Sequence, residues 1–139
     1  MVGRLMYLVD SNVWLELLLN QERAEEVRDF FGTMEPNLLA LTDFTLYSLG
    51  IILTRLGKDQ AFSDFTVDTL ERGEVTSLRL NIADMRDLLA VGQQFRLDFD
   101  DAYQYLAAEK HGFVLVSFDS DFDRTDRGRK TPKQIITEL

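Results

Sequence analysis

The chain is 139 residues long, with 45% hydrophobic and 28% charged residues. These values are typical of one folded domain, here spanning residues 1–139, with a sizeable buried core. The sequence contains no cysteine and a single histidine, which excludes disulfides, thiolate zinc sites and metal sites built from several histidines. Any bound metal must therefore be held by oxygen ligands, and this favours Mg²⁺ or Mn²⁺.

The net charge of −9 argues against a protein that binds nucleic acid by overall electrostatic attraction. The charge is uneven, because residues 124–133 contain five basic side chains and only one acid, Asp126. This segment is called the basic strip below; its basic residues are Arg124, Arg127, Arg129, Lys130 and Lys133. Such a strip is compatible with holding a phosphate backbone beside an acidic site, and equally with a solvated tail.

The ends and apolar runs of the chain predict no membrane association. No apolar run reaches the roughly 18 residues that are needed to span a bilayer. Residues Met1–Arg4 lead directly into a predicted strand, so we expect no signal peptide. The expected location is therefore cytoplasmic.

Short apolar runs and helical spacing predict alternating strands and helices in the first half of the chain. Strands are predicted over Leu5–Val9 and Leu38–Leu41, where apolar residues are bounded by polar ones. Helices are predicted over Asn12–Leu19, Glu22–Phe31, Asp43–Leu56 and Gln60–Leu70. Gly32 is expected to end the second helix. The third has apolar residues on all sides, which predicts a buried helix.

The same alternation continues in the second half. Strands are predicted over Glu74–Leu78 and Phe113–Phe118, the latter being the clearest in the chain. Helices are predicted over Ile82–Phe95, over Asp98–His111 with Gly112 as the C-terminal cap, and from Thr131-Pro132 to the C-terminus. Strands that alternate with helices indicate an α/β fold, in which a parallel sheet is covered on both faces.

Acidic residues follow several of the predicted strands. Asp10 comes directly after the first strand, Asp43 after the second and Asp119 after the last. A further group, Asp98, Asp100 and Asp101, opens a helix. In a parallel sheet these acids converge on the edge at which ligands bind in open α/β folds.

Two explanations account for acids at these positions. Any single aspartate there is well explained as a helix cap, which accepts hydrogen bonds from free backbone N–H groups. Several carboxylates crowded together repel one another, however, and a divalent cation would supply the missing positive charge. Metal ions held this way activate water and stabilise the leaving oxygen in phosphodiester hydrolysis, so no serine, cysteine or histidine nucleophile is required.

Three short motifs resemble those of the PIN-domain nucleases. Asp10-Ser11-Asn12 is similar to the opening motif of that family. Asp101-Ala102, on a helix that ends in Lys110-His111-Gly112, is similar to its second acidic segment. The last motif is matched by Ser117-Phe118-Asp119-Ser120-Asp121-Phe122. Together they cover essentially the whole chain in order and spacing.

The resemblance implies a Rossmann-like, three-layer α/β/α sandwich with a mostly parallel sheet and Mg²⁺- or Mn²⁺-dependent cleavage of RNA. It also implies homodimers and, as in the VapC-like group, the role of a toxin that a small antitoxin protein neutralises. Asp10, Asp101 and Asp119 would be the catalytic, metal-binding acids, and Asp121 a further candidate ligand. Asn12 and Ser117 would orient these acids or bind metal-bound water. Arg124, Arg127, Arg129 and Lys130 of the basic strip are the predicted RNA contacts.

One position departs from the family pattern. PIN nucleases usually carry a glutamate in the helix after the second strand, and the alignment places Ser48 there. Asp43 lies five residues earlier, about 140° away around a helix, so it could reach the site only from the start of the helix. Asp43 is therefore a candidate metal ligand and equally a candidate helix cap.

The departure at Ser48 keeps other functions open. The first alternative is a degenerate PIN-like domain that binds RNA or a protein partner without cleavage. The second is a phosphatase or another small α/β hydrolase that uses the same acids on a small substrate.

Overall fold

The computed structural model describes residues 5–139, in which four strands and seven α-helices alternate. The strands are β1 (Tyr7–Val9), β2 (Leu39–Thr42), β3 (Thr76–Leu78) and β4 (Val114–Val116). The helices are α1 (Ser11–Leu18), α2 (Ala24–Thr33), α3 (Asp43–Arg55), α4 (Asp59–Phe65), α5 (Met85–Phe95), α6 (Phe99–His111) and α7 (Pro132–Glu138). Short 3₁₀ turns cover Pro36–Leu38, Ile82–Asp84 and Ser120–Arg124, and a π-helical turn covers Thr66–Glu71.

The four strands form one parallel sheet in the order β3-β2-β1-β4. β1 lies inside the sheet, where Tyr7 pairs with Leu39 of β2 and with Val114 of β4. The prediction of a parallel sheet is confirmed. Because parallel strands end at the same edge, the residues after β1, β2 and β4 are brought close together.

Side chains of the sheet alternate between two hydrophobic cores. Leu8, Ala40 and Leu115 face the core built with α5 and α6. Val9, Leu41 and Val116 face the other core, which includes residues of α1, α2, α3, α4 and α7. Helices therefore cover both faces of the sheet, and the predicted three-layer α/β/α sandwich is confirmed.

The element boundaries differ from the predictions in a few places. The strands are shorter, as in β4, where predicted residues 113–118 reduce to Val114–Val116. Gly32 does not end α2, which continues to Thr33. The predicted helix over 60–70 changes after Phe65 into the π-helical turn. Gly112 caps α6 as predicted, with a φ of 71° that glycine adopts without steric cost.

Several apolar residues of the predicted helices are exposed. Ile82, the first residue of the helix predicted over residues 82–95, lies in the 3₁₀ turn before α5 and is 92% exposed. Tyr47 and Ile51 of α3 are 65% and 51% exposed, so the prediction of a fully buried α3 is wrong. Within residues 5–139, no helix combines the length and apolar character required to cross a membrane.

Candidate functional site

An acidic pocket of about 290 Å³ opens at the carboxyl edge of the sheet. Its walls come from the start of α1, one face of α3, the first turns of α6 and the segment after β4. The lining residues are Asp10, Ser11, Asn12, Leu15, Phe44, Ser48, Ile52, Asp100, Asp101, Gln104 and Asp119. The fold thus brings Asp10, Asp101 and Asp119, which lie far apart in the sequence, to one cavity.

Asp10 is buried at the end of the inner strand β1 and caps α1. Its backbone N–H continues the sheet by donating to the carbonyl of Val116, and only 6% of the residue is exposed. The carboxylate Oδ1 accepts from the backbone N–H of Ser11 at 2.8 Å and from Gln104 Nε2 at 2.9 Å. Oδ2 accepts from Ser117 Oγ at 2.8 Å and, at 3.4 Å, from Asn12 Nδ2. Both the helix-cap and the site explanations therefore apply to this residue.

Asn12 and Ser117 connect the first and last acidic motifs. Besides its bond to Asp10, Ser117 Oγ accepts from Asn12 Nδ2 at 3.1 Å and from the backbone N–H of Asp119 at 2.9 Å. Asn12 Oδ1 accepts from the backbone N–H of Phe118 at 3.2 Å. These bonds fix the end of β4 against the start of α1.

A buried polar network behind Asp10 was not found from the sequence. Gln104 of α6 is 2% exposed, and its Nε2 donates both to Asp10 and to Thr45 Oγ1, the latter at 2.7 Å. Its Oε1 accepts from Thr42 Oγ1 at 2.6 Å. The available signal was the spacing from Asp101 to Gln104, since residues three apart share a helix face.

Asp101, Asp119 and Asp121 form an acidic cluster that joins the start of α6 to the segment after β4. Each offers a carboxylate oxygen, and these oxygens lie within 4.8 Å of one another. Asp121 also pairs with Arg124 at 3.0 Å. A second cluster of the same size joins Asp98 and Asp100 to Asp101. Neither group of three includes Asp10.

The cluster raises the pKa of Asp101 to about 8. Partial burial is the largest cause, followed by the negative charges of Asp100, Asp119 and Asp10. A hydrogen bond that only the protonated carboxyl can donate to Asp119 acts in the same direction. Burial also raises the pKa of Asp10, although hydrogen bonds from Gln104, Ser117 and Ser11 oppose it. These carboxylates repel one another, and a cation between them would remove that repulsion. Their oxygens are the ligands that a hard divalent cation prefers.

The structure separates Ser48 from Asp43. Ser48 lines the acidic pocket, whereas Asp43 is not among the lining residues. The carboxylate of Asp43 accepts hydrogen bonds from the backbone N–H of Phe44 at 2.8 Å and from Tyr103 Oη at 2.7 Å. Thr42 is the residue that caps α3. Burial and the bond to Asp43 raise the pKa of Tyr103 to about 12, so this phenol stays a hydrogen-bond donor.

The basic strip runs beside β4 at the edge of the sheet, where Lys130 pairs with Val116. Several of its side chains bond within the protein: Arg129 donates to both carboxylate oxygens of Asp123 and to the carbonyl of Ser117. Lys130 pairs with Glu138. Arg127 is exposed and donates one N–H to the carbonyl of Phe113, so its other N–H donors remain available for a phosphate.

A family model described as the PIN domain matches residues 7–128. No curated protein sequence matches this chain. Similar solved structures include a toxin-antitoxin complex from Klebsiella pneumoniae (18% identity, 91% of this chain and 97% of that chain, TM-score 0.71). FitAcB from Neisseria gonorrhoeae is 18% identical over 92% and 99% of the two chains, with a TM-score of 0.73. The toxin VapC20 from Mycobacterium tuberculosis, described as cleaving the sarcin-ricin loop, is 17% identical over 84% and 92%, with a TM-score of 0.69. These likenesses show a shared fold.

Proposed function

This chain belongs to the PIN domain family, and we propose that it is a metal-dependent ribonuclease that hydrolyses RNA phosphodiester bonds. The observation that carries the proposal is the acidic pocket at the carboxyl edge of the sheet, which Asp10, Asp101 and Asp119 line together. PIN domains generally use divalent metal ions, and the carboxylate cluster here offers the oxygen ligands that Mg²⁺ and Mn²⁺ prefer.

Asp10, Asp101 and Asp119 would hold the metal, with Asp121 as an additional ligand. A divalent cation supplies an activated water and stabilises charge on the leaving oxygen. The chain's own residues do the rest. Asn12 and Ser117 hold Asp10 and the backbone of residues 118 and 119 in place. Asp101, whose pKa is raised to about 8, would have to lose a proton in order to hold a cation.

The basic strip is proposed to steady the RNA backbone. Arg127 contributes an exposed guanidinium with one bond inside the protein, while Arg124, Arg129 and Lys130 are held in place by bonds of their own. An arginine has five N–H donors, so each of these arginines keeps donors for a phosphate.

A small antitoxin protein and a second copy of the chain are the proposed partners. Structures of similar fold include a toxin-antitoxin complex and FitAcB. The exposed side chains of Tyr47 and Ile51 form an apolar surface on α3, the helix that also lines the acidic pocket. Light scattering of the purified chain, alone and with any co-expressed antitoxin, measures both associations.

The proposal is tested by titrating Mn²⁺ into the protein by calorimetry and then assaying RNA cleavage with and without a chelator. Three proteins are compared: wild type, Asp101→Asn, and Asp29→Asn as a control at an exposed acid of α2. We expect wild type and control to bind Mn²⁺ and cleave RNA, and Asp101→Asn to lose at least about 100-fold in affinity. Chelator-resistant cleavage, or equal binding by all three, would contradict the proposed site.

A second candidate function is a PIN domain that binds RNA or a protein without cutting it. Ser48 favours it, because a hydroxyl stands in the pocket wall where the family usually has a glutamate. The full set of hydrogen bonds to Asp10 also stabilises its carboxylate without any metal. RNA retention in a gel-shift assay, unchanged by Mn²⁺ and without cleavage products, would favour this candidate.

A further inference from the structure

Gln104 is a polar residue on the buried side of α6. It is 2% exposed and has buried apolar neighbours on both sides, Tyr103 and Tyr105. Burying an amide without partners costs free energy, so its contacts must offset that cost. An apolar residue of similar size would fill the same space at no such cost, which means that the polar contacts themselves need an explanation.

The amide is held in one orientation by three hydrogen bonds. Thr42 Oγ1 donates to Oε1 at 2.6 Å, and both hydrogens of Nε2 are used, on Thr45 Oγ1 at 2.7 Å and on Asp10 Oδ1 at 2.9 Å. The reversed orientation would place Oε1 against the Asp10 carboxylate, where two acceptors repel. Thr42 and Thr45 therefore keep the N–H side of Gln104 directed at Asp10.

The contact connects two acids of the pocket. Asp101 lies three residues before Gln104 on α6, so the same helix face supplies one pocket acid and the donor to another. Without Gln104, Oδ1 of Asp10 would keep only the N–H of Ser11 as a partner among the bonds described above. Ser11, Ser117 and Asn12 would still donate to the carboxylate. Its χ2 torsion, which has broad minima, would however lose its restraint from the α6 side.

We propose that Gln104 is a positioning residue, which fixes the Asp10 carboxylate relative to Asp101 so that the pocket is shaped for a divalent cation before the cation arrives. The inference rests on the proposed metal-dependent function. Groups that hydrogen-bond to metal ligands orient them, and their loss typically weakens metal binding about 10- to 100-fold.

The test compares Mn²⁺ affinity with folding stability in Gln104→Met, which keeps the length of the side chain and removes both N–H donors. The control is Gln93→Met, the same change at an exposed position of α5. Calorimetry measures the Kd for Mn²⁺ at a temperature at which circular dichroism shows each protein folded. We expect Gln104→Met to raise the Kd about 10-fold or more and Gln93→Met to leave it unchanged.

A second pair of variants decides the question if Gln104→Met does not fold. Thr42→Val removes the hydroxyl that orients Oε1, while Thr42→Ser keeps it. We expect Val to weaken Mn²⁺ binding several-fold and Ser to preserve it. Stability that falls with an unchanged Kd, in Gln104→Met or in Thr42→Val, would overturn the inference and leave the proposed function standing. Absence of Mn²⁺ binding by the wild type would instead overturn the proposed metal site, and this inference with it.

Discussion

The two sides of the acidic pocket surround a carboxylate with different partners. Asp10, at the end of β1, receives hydrogen bonds from Ser11, Asn12, Gln104 and Ser117. Asp101, at the start of α6, instead faces the charges of Asp100, Asp119 and Asp10. Burial raises the pKa of both carboxyls, but hydrogen bonds that the fold supplies oppose this rise at Asp10. At Asp101 the neighbouring negative charges add to it, so this carboxyl requires a proton or a cation from solution.

This difference divides the pocket into two halves. The half around Asp10 is called the structural half below, and the half around Asp101 the responsive half. Hydrogen bonds to the charged form favour ionisation, whereas nearby like charges oppose it. The half around Asp10 is therefore expected to affect folding most strongly. The half around Asp101 is expected to couple folding to pH and to metal.

The largest effect is expected from removing the structural carboxylate. Asp10→Ala leaves several buried or half-buried donors without an acceptor, and each such group costs about 1–3 kcal/mol. We expect the free energy of unfolding to fall by about 3–4 kcal/mol in the absence of metal. Urea denaturation at neutral pH measures it. A loss below about 1 kcal/mol would show that the network around Asp10 relaxes without cost.

The responsive half predicts a steep pH dependence of metal binding. Asp101 must lose its proton to become a ligand, and its pKa is raised to about 8. The Mn²⁺ affinity should therefore rise about 10-fold per pH unit well below 8, and about 50-fold between pH 6 and pH 8. Calorimetry in two buffers of different ionisation enthalpy should detect about one proton released at pH 7. An affinity that stays constant across this range would mean that Asp101 is not a ligand.

Ser48→Glu adds a carboxylate to the pocket wall formed by α3 and so extends the responsive half. With Mn²⁺ present, the new oxygen ligands should tighten binding about 10-fold, since negative charge at the site increases. Without metal, the added charge should lower stability slightly by repulsion. Calorimetry and thermal melting on the same sample measure both effects, and Ser48→Gln is the matched uncharged control. Equal affinities for the two variants would place residue 48 outside the metal's reach.

Much of the fold followed from local patterns in the sequence. Short apolar runs that end in Asp10 and Asp119 indicated parallel strands with acids at one edge, and the sheet has that arrangement. Local patterns did not predict which residues are buried where the packing of neighbouring elements determines it. Tyr47 and Ile51 have the spacing of core residues, yet α3 turns them outward because its other side already packs against the sheet and α4.

The hydrogen-bond network around Gln104 in the candidate site was likewise not predictable from local sequence patterns. A glutamine in a helix is ordinarily a surface residue. Its spacing of three residues from Asp101 places the two on one helix face but does not show that α6 buries Gln104. Its role depends on Thr42 and Thr45, about 60 residues away in the chain, and on Asp10, 94 residues away. Contacts at such separations follow only from the assembled three layers.

The smallest effect is expected from neutralising the responsive acid in the metal-free protein. The pKa of Asp101 is raised to about 8 in the folded state from 3.8 for an unperturbed aspartate, so the folded protein binds more protons between these two pH values. The contribution of Asp101 to the free energy of unfolding is thus fully present below pH 3.8 and is lost as the pH rises through 8.

The variant Asp101→Asn does not undergo this loss, so it should be more stable than wild type at pH 8 by about 1 kcal/mol after allowance for solvent screening. Melting curves from pH 5 to pH 9 should show a smaller decline for the variant than for wild type, whereas Asp29→Asn should follow wild type. Asp10→Ala and Asp101→Asn would then change stability in opposite directions, and two changes of the same sign would remove the distinction between the halves.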